Sequence, residues 1–166
     1  RDAFHGHSPG SWYGVWNTIE TLQAHGHPLP DTGIEIEEYR RLGNQHTSLM
    51  YTDRQISRLS IGTFLNELLD AFSPSDPITF RMWSGHDDTL SPLISALTGK
   101  ITEHPRMASY MLLELYERDS DSKPYVNCIY NGDTIIDMVP FDIVKHAAAP
   151  YTLSREEYQT ECTLLD

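Results

Sequence analysis

Apolar residues recur three and four positions apart through the first part of the chain, which is the spacing of one helix face. Trp12, Val15, Trp16, Ile19 and Leu22 predict a helix over 12–24, stopped by Gly26 and Pro28. Asp31-Thr32-Gly33 reads as a loop, with Thr32 a candidate cap for a second helix from about Ile34 to Leu49. A third helix is expected from Asp53 to Phe72, carrying Ile56, Leu59, Ile61, Phe64, Leu65, Leu68 and Leu69. Ser73-Pro74-Ser75-Asp76-Pro77 ends it and is the clearest boundary in the chain.

The pattern then changes. Ile78-Thr79-Phe80-Arg81-Met82-Trp83 reads as a buried strand, and Leu90, Leu93, Ile94 and Leu97 mark a helix after it. Asp88 or Thr89 is the expected cap, with Pro92 in the first turn. Met111 to Tyr116 is apolar at nearly every position and predicts a central strand. Tyr125 to Tyr130 and Thr134 to Met138 flank Asn131-Gly132, a hairpin signal because both turn residues tolerate positive φ. Ser154 and Glu157 have the spacing of a capping box for a tail helix. Residues 1–11 read as irregular chain, and there is no internal repeat.

Composition narrows the partners. With 166 residues, 39% of them hydrophobic, the chain can form one ordinary core or two small lobes. No apolar run approaches the ~20 residues of a membrane span. A formal charge of −12 argues against nucleic acid, whose phosphates are met mainly by Lys and Arg. A small phosphorylated ligand stays admissible, since it needs only a local cluster of donors. The first residue is Arg1, which suggests a processed or truncated product. Cys128 and Cys162 could pair with each other or each with a segment outside this sequence, and there is no Asn-x-Ser/Thr sequon.

Ser84-Gly85-His86-Asp87 carries the most chemistry. It lies where the expected strand gives way to a helix, and the amides of a helix start can receive an anion such as phosphate. From spacing alone, a loop pair that merely caps a helix is the commoner occupant of such a place.

In this order and spacing the chain resembles the histidine acid phosphatases. Ser84-Gly85-His86-Asp87-Asp88-Thr89-Leu90 is similar to their C-terminal His-Asp motif. Met107-Ala108-Ser109 with Leu113-Glu114-Leu115-Tyr116 resembles the strand after it. The hairpin from Tyr125 through Asn131-Gly132, the run Val139-Pro140-Phe141 and the tail Ser154 to Cys162 extend the likeness. The resemblance implies an α/β fold, the C-terminal half of a phosphoglycerate-mutase-like three-layer sandwich with part of a helical cap. Residues 1–52 would end the cap, 53–145 would form half of the α/β domain, and 146–166 would be the tail.

The implied activity is hydrolysis of phosphomonoesters through a phosphohistidine, with no cofactor and no metal. His86 would hold a phosphoryl oxygen, and Asp87 would protonate the leaving alkoxide. The attacking histidine lies in an Arg-His-Gly-x-Arg-x-Pro motif that this sequence does not contain. His5-Gly6-His7-Ser8-Pro9 and His25-Gly26-His27-Pro28 have its look without its arginines, and both read as decoys. The resemblance therefore implies a missing N-terminal half, as an upstream segment or companion chain, and an inactive chain without it. It also admits a homodimer, a Cys162 bridge to the missing half, and a secretory, lysosomal or extracellular history.

Two rivals stand beside this reading. The two His-x-His pairs suggest zinc, although no Cys or carboxylate falls at a convincing partner spacing. A non-catalytic interaction module on the same fold is the other, since fold does not fix function. Arg54 and Arg58, one turn apart, could face an anion or simply line a solvated helix face. Glu114 on its apolar strand needs a partner if buried, or else faces solvent at an edge. Cys128 reads as a small core residue.

Overall fold

The computed structural model describes residues 12–72, 76–100 and 103–163. Three helices come first: α1 (Trp12–Ala24), α2 (Ile36–Thr52) and α3 (Arg54–Ala71). The expected strand region follows, then α4 (Asp87–Thr98), β1 (Met111–Arg118), β2 (Lys123–Tyr130), β3 (Asp133–Pro140), α5 (Phe141–Ala148) and α6 (Arg155–Thr163). The boundary at 73–77 falls partly outside the described residues, and His5–His7 lies wholly outside them.

Local chemistry explains most of the element ends. Asp53 caps α3, its Oδ1 accepting from the amides of Gln55 at 2.8 Å and Ile56 at 3.0 Å. The second helix begins two residues later than expected, and its N-cap is Glu35 rather than Thr32. Asp31 closes the preceding loop by accepting from the amide of Gly33, which sits at φ +68°. In the tail the capping box forms in both directions: the Ser154 amide donates to Glu157 Oε2 at 2.7 Å, and the Glu157 amide donates to Ser154 Oγ at 3.1 Å.

β1, β2 and β3 form an antiparallel sheet in the order β1-β2-β3. The β2–β3 turn is Asn131-Gly132, with φ of 50° and 94°, as the hairpin signal predicts. β1 is an edge strand of this sheet and β2 the central one, which corrects the expectation for Met111 to Tyr116. The apolar density of β1 has another cause. Met111, Leu113 and Leu115 pack into the core, while Leu112 and Tyr116 on the opposite face stand exposed. Helices thus cover one face of the sheet among the described residues.

The larger core joins α3, α4, α5 and the sheet through Ile61, Leu65, Leu68, Leu93, Leu97, Val126, Cys128, Ile136, Val144 and Ala148. Every residue of α4 from Ser91 to Leu97 is buried, so this helix is gripped by its neighbours. Each fully buried aliphatic side chain there contributes about 1.5–3 kcal/mol of transfer free energy. A smaller core of Val15, Trp16, Ile19 and Tyr39 holds α1 against α2. Gly43 makes that contact close: a Cβ there would lie 2.6 Å from Trp16 Nε1.

One expectation fails outright. Residues 78–83 are not a strand and not buried; Phe80 is 74% exposed and Met82 85%. The sheet ends at β1 and β3, so this run has no strand beside it among the described residues. Its restraints are local: the Arg81–Asp76 ion pair at 2.6 Å and an edge-on contact of Trp83 with Phe64 at 5.7 Å between ring centroids. Helix α5 went unread in the sequence, although Phe141, Val144 and Ala148 share one helix face.

Candidate active site

α4 begins at Asp87, with His86 as its N-cap, two to three residues before the expected cap. His86 has extended backbone, φ −124° and ψ −176°, and its carbonyl accepts from the amides of Thr89 and Leu90 at 3.1 Å each. Thr89 closes the turn from the other side, its Oγ1 accepting from the His86 amide at 3.3 Å. Gly85 fits under this turn because a Cβ there would come within 3.0 Å of the Thr89 methyl. The early start puts Pro92 in the second turn, where the Asp88 carbonyl loses its helical donor.

The His86 side chain is exposed, and Asp87 is partly so. Asp87 and Asp88 both lie in the first turn, where negative charge complements the helix dipole. An anion at this helix start must therefore find positive charge beyond these two carboxylates to offset their repulsion.

A second imidazole joins them from the segment that follows α4. Asp87 Oδ2 lies 3.6 Å from Nε2 of His104, whose side chain is 7% exposed. Nδ1 of the same imidazole is 3.0 Å from Thr47 Oγ1 on α2. The His104 amide donates to Asn44 Oδ1 at 2.9 Å, and the ring meets Trp16 edge-on at 6.3 Å between centroids. Burial holds the His104 pKa below the ordinary imidazole value; Asp87 and then Glu20 push the other way, and His46 adds to the lowering. Tyr51 also faces this corner. Its phenol pKa is raised by burial first, then by the charges of Asp88 and Asp87.

His104, Thr47, Asn44 and Tyr51 were not singled out in the sequence. A lone histidine before a proline has no spacing partner, and its companions lie 57 and 60 residues away. Only the packing of α2 against α4 makes them neighbours.

Other candidates resolve into structural roles. Arg58 ties α3 to the tail, donating to Glu161 Oε1 at 2.5 Å and to the Thr152 carbonyl at 3.3 Å, and is partly buried there. Arg54 is exposed. Glu114 is half-buried and accepts from Asn127 Nδ2 across the β1–β2 pair at 3.0 Å. The His25 and His27 rings are 6.4 Å apart on exposed chain after α1. Among the described residues no group of three His, Cys, Asp or Glu converges as a metal site. Cys128 is fully buried, Cys162 is exposed, and both are free thiols, which removes a Cys128–Cys162 bridge. No described helix is long and apolar enough to cross a membrane.

No protein-family model matches the chain. It is 29% identical to bovine prostatic acid phosphatase over 134 residues, covering 75% of this chain and 34% of that protein. Bovine lysophosphatidic acid phosphatase type 6 is 26% identical over 129 residues, or 69% of this chain and 30% of the relative. Rat 2-phosphoxylose phosphatase 1 is 36% identical over 74 residues, 43% of this chain and 15% of the relative. These relatives are histidine acid phosphatases, the family to which the chain is similar. It spans about a third of the length of the first two.

Proposed function

We propose that this chain is the C-terminal part of an acid phosphatase that hydrolyses phosphomonoesters through a phosphohistidine. His86 holds a phosphoryl oxygen and Asp87 protonates the departing alkoxide. The observation that carries the reading is the adjacency of the two side chains at the start of α4. One is open to solvent; the other is partly sheltered and set against an imidazole. The residue types suit the chemistry. A covalent intermediate divides the displacement into two lower barriers, and a positioned acid helps a poor leaving group by about 10²–10⁴-fold.

In this reading the nucleophilic histidine and the phosphate-binding arginines come from the remainder of the protein, as an upstream segment or a companion chain. The 166-residue chain alone is inactive. Residues 78–83 would then become an inner strand, and the open face of the sheet would receive the third layer of the sandwich. The two apolar cores, one within 15–39 and one within 61–151, support a division near residue 52 between cap and α/β domain. The same reading places the complete protein in the secretory pathway, lysosomal or extracellular.

Asp87→Asn in the complete protein tests the assignment. Hydrolysis of an alkyl phosphate should fall about 10²–10⁴-fold, while an aryl phosphate with a good leaving group loses far less. Equal losses on both would remove the proton-donor role and return the non-catalytic module to the lead.

A further inference from the structure

We infer that His104 is a positioning residue for Asp87, holding its carboxyl through both protonation states of a catalytic cycle. The inference rests on the proton-donor reading of Asp87, and it follows from how the ring is held. Four elements of the surroundings fix it: the Thr47 hydroxyl at Nδ1, the Asn44 side chain at the backbone amide, the edge of Trp16, and Asp87 at Nε2. Thr47 is 3% exposed and Trp16 1%, so two of these contacts are made inside the fold. A histidine needed only to fill space would not require polar partners on both ring nitrogens.

The chemistry of the contact explains the arrangement. A neutral imidazole has one N–H and one lone pair, and the hydroxyl of Thr47 can donate or accept. When Asp87 is ionised, the proton sits on Nε2 facing the carboxylate, and Thr47 donates to Nδ1. When Asp87 is protonated, the proton sits on the other carboxyl oxygen, Oδ1, towards the leaving group, and Oδ2 still faces Nε2–H. Asp87 gives its proton to the leaving alkoxide in the first step and regains one from the attacking water in the second. Across the cycle the ring keeps one tautomer and takes up no net proton.

Staying neutral is essential, since an imidazolium would hold Asp87 ionised and disarm it. Burial supplies that neutrality. The groups that face the ring are Glu20 on α1, His46 on α2 and Asp87 on α4, with Tyr51 and Asp88 beside the carboxyl. The 3.6 Å separation is longer than a hydrogen bond and is an electrostatic contact in this state. Contacts of this kind commonly tighten only when substrate is bound.

Two measurements decide the matter. The first follows the ring nitrogens of His104 by long-range ¹H–¹⁵N NMR in the 166-residue chain. Asp87→Asn should move the His104 titration midpoint further down, because the charge that raises it is gone. Thr47→Val should disturb the tautomer balance without touching Asp87. A midpoint indifferent to Asp87→Asn overturns the contact.

The second compares His104→Gln, His104→Asn and Thr47→Val in the complete phosphatase, with Asp87→Asn as reference. Asn keeps an amide near the Nδ1 position and loses the contact with Asp87; Gln places its amide near Nε2. His104→Asn should slow alkyl phosphate hydrolysis on the order of tenfold to a hundredfold, with an aryl phosphate little changed and the pH profile displaced. His104→Gln should recover part of that loss. If Asp87→Asn is selective for the alkyl ester while His104→Asn slows both esters equally, His104 is structural and the inference falls. If Asp87→Asn is itself unselective, the proton-donor reading falls and takes this role with it, whatever the titration shows.

Discussion

The hydroxyls of Ser57 on α3 and Ser95 on α4 both donate to the carbonyl oxygen of Tyr51, each at 3.0 Å. Tyr51 lies in the last turn of α2, where carbonyls have no helical donor of their own. Both serines are buried, so one backbone acceptor joins three helices inside the fold. Either serine alone can satisfy it.

That redundancy makes the two sites non-additive. Ser57→Ala or Ser95→Ala should each cost about 0.5–1.5 kcal/mol, since the other hydroxyl still meets the carbonyl. The double variant leaves a buried acceptor unpaired, adding a penalty of about 1–3 kcal/mol in full. Urea unfolding of the wild type, both singles and the double closes the cycle. Simple additivity would mean that the two bonds do not share their work.

The cysteines differ in a way that thiol chemistry can read. Burial pushes the Cys128 thiol up to about 12, and its side chain has no exposed surface. Cys162 stands open on α6. A disulfide reagent added to the native chain at pH 8 should therefore modify Cys162 alone and reach Cys128 only in denaturant. The linkage has a definite sign. The folded state keeps the Cys128 proton longer than the unfolded state, so this contribution is intact below the unfolded value of 9.0 and is lost as pH rises towards about 12. Cys128→Ala should flatten the alkaline limb of stability against pH. Rapid native modification of both thiols would contradict the burial of β2.

How much of this was legible beforehand depended on how local the cause was. Asp53, Ser154 with Glu157, and Asn131 with Gly132 act on backbone within three residues, and each does what its type and spacing suggest. Helix stripes such as Val15, Trp16 and Ile19 were equally plain. Residues 78–83 misled because an apolar run states a preference for burial without supplying the neighbour that buries it. The likeness of α4 to a His-Asp motif was visible at once. The imidazole beside Asp87 was not, since His104 reaches it only through α2. The role of Arg58 was left open for the same reason: its partner Glu161 is 103 residues away.

The run from Ile78 to Trp83 yields the last prediction. Ile78 is 49% exposed and Trp83 40%, beside the still more open Phe80 and Met82. Four large apolar side chains lie together on a stretch whose backbone takes part in no sheet. Such a patch is the kind that binds hydrophobic dyes and joins chains edge to edge. The 166-residue chain should therefore bind an anilinonaphthalene dye at neutral pH and self-associate with rising concentration, despite its net charge of −12. Phe80→Lys with Met82→Lys should suppress both, as two charges break the apolar surface. Thermal stability should change little, within about 0.5 kcal/mol, because neither side chain is packed. The proposed function adds a contrast: if the run becomes an inner strand in the complete phosphatase, the same pair of substitutions should be severely destabilising there. Dye binding and association that persist in the double variant would place the sticky surface elsewhere, with the open face of the sheet around Leu112 and Tyr116 as the next site to alter.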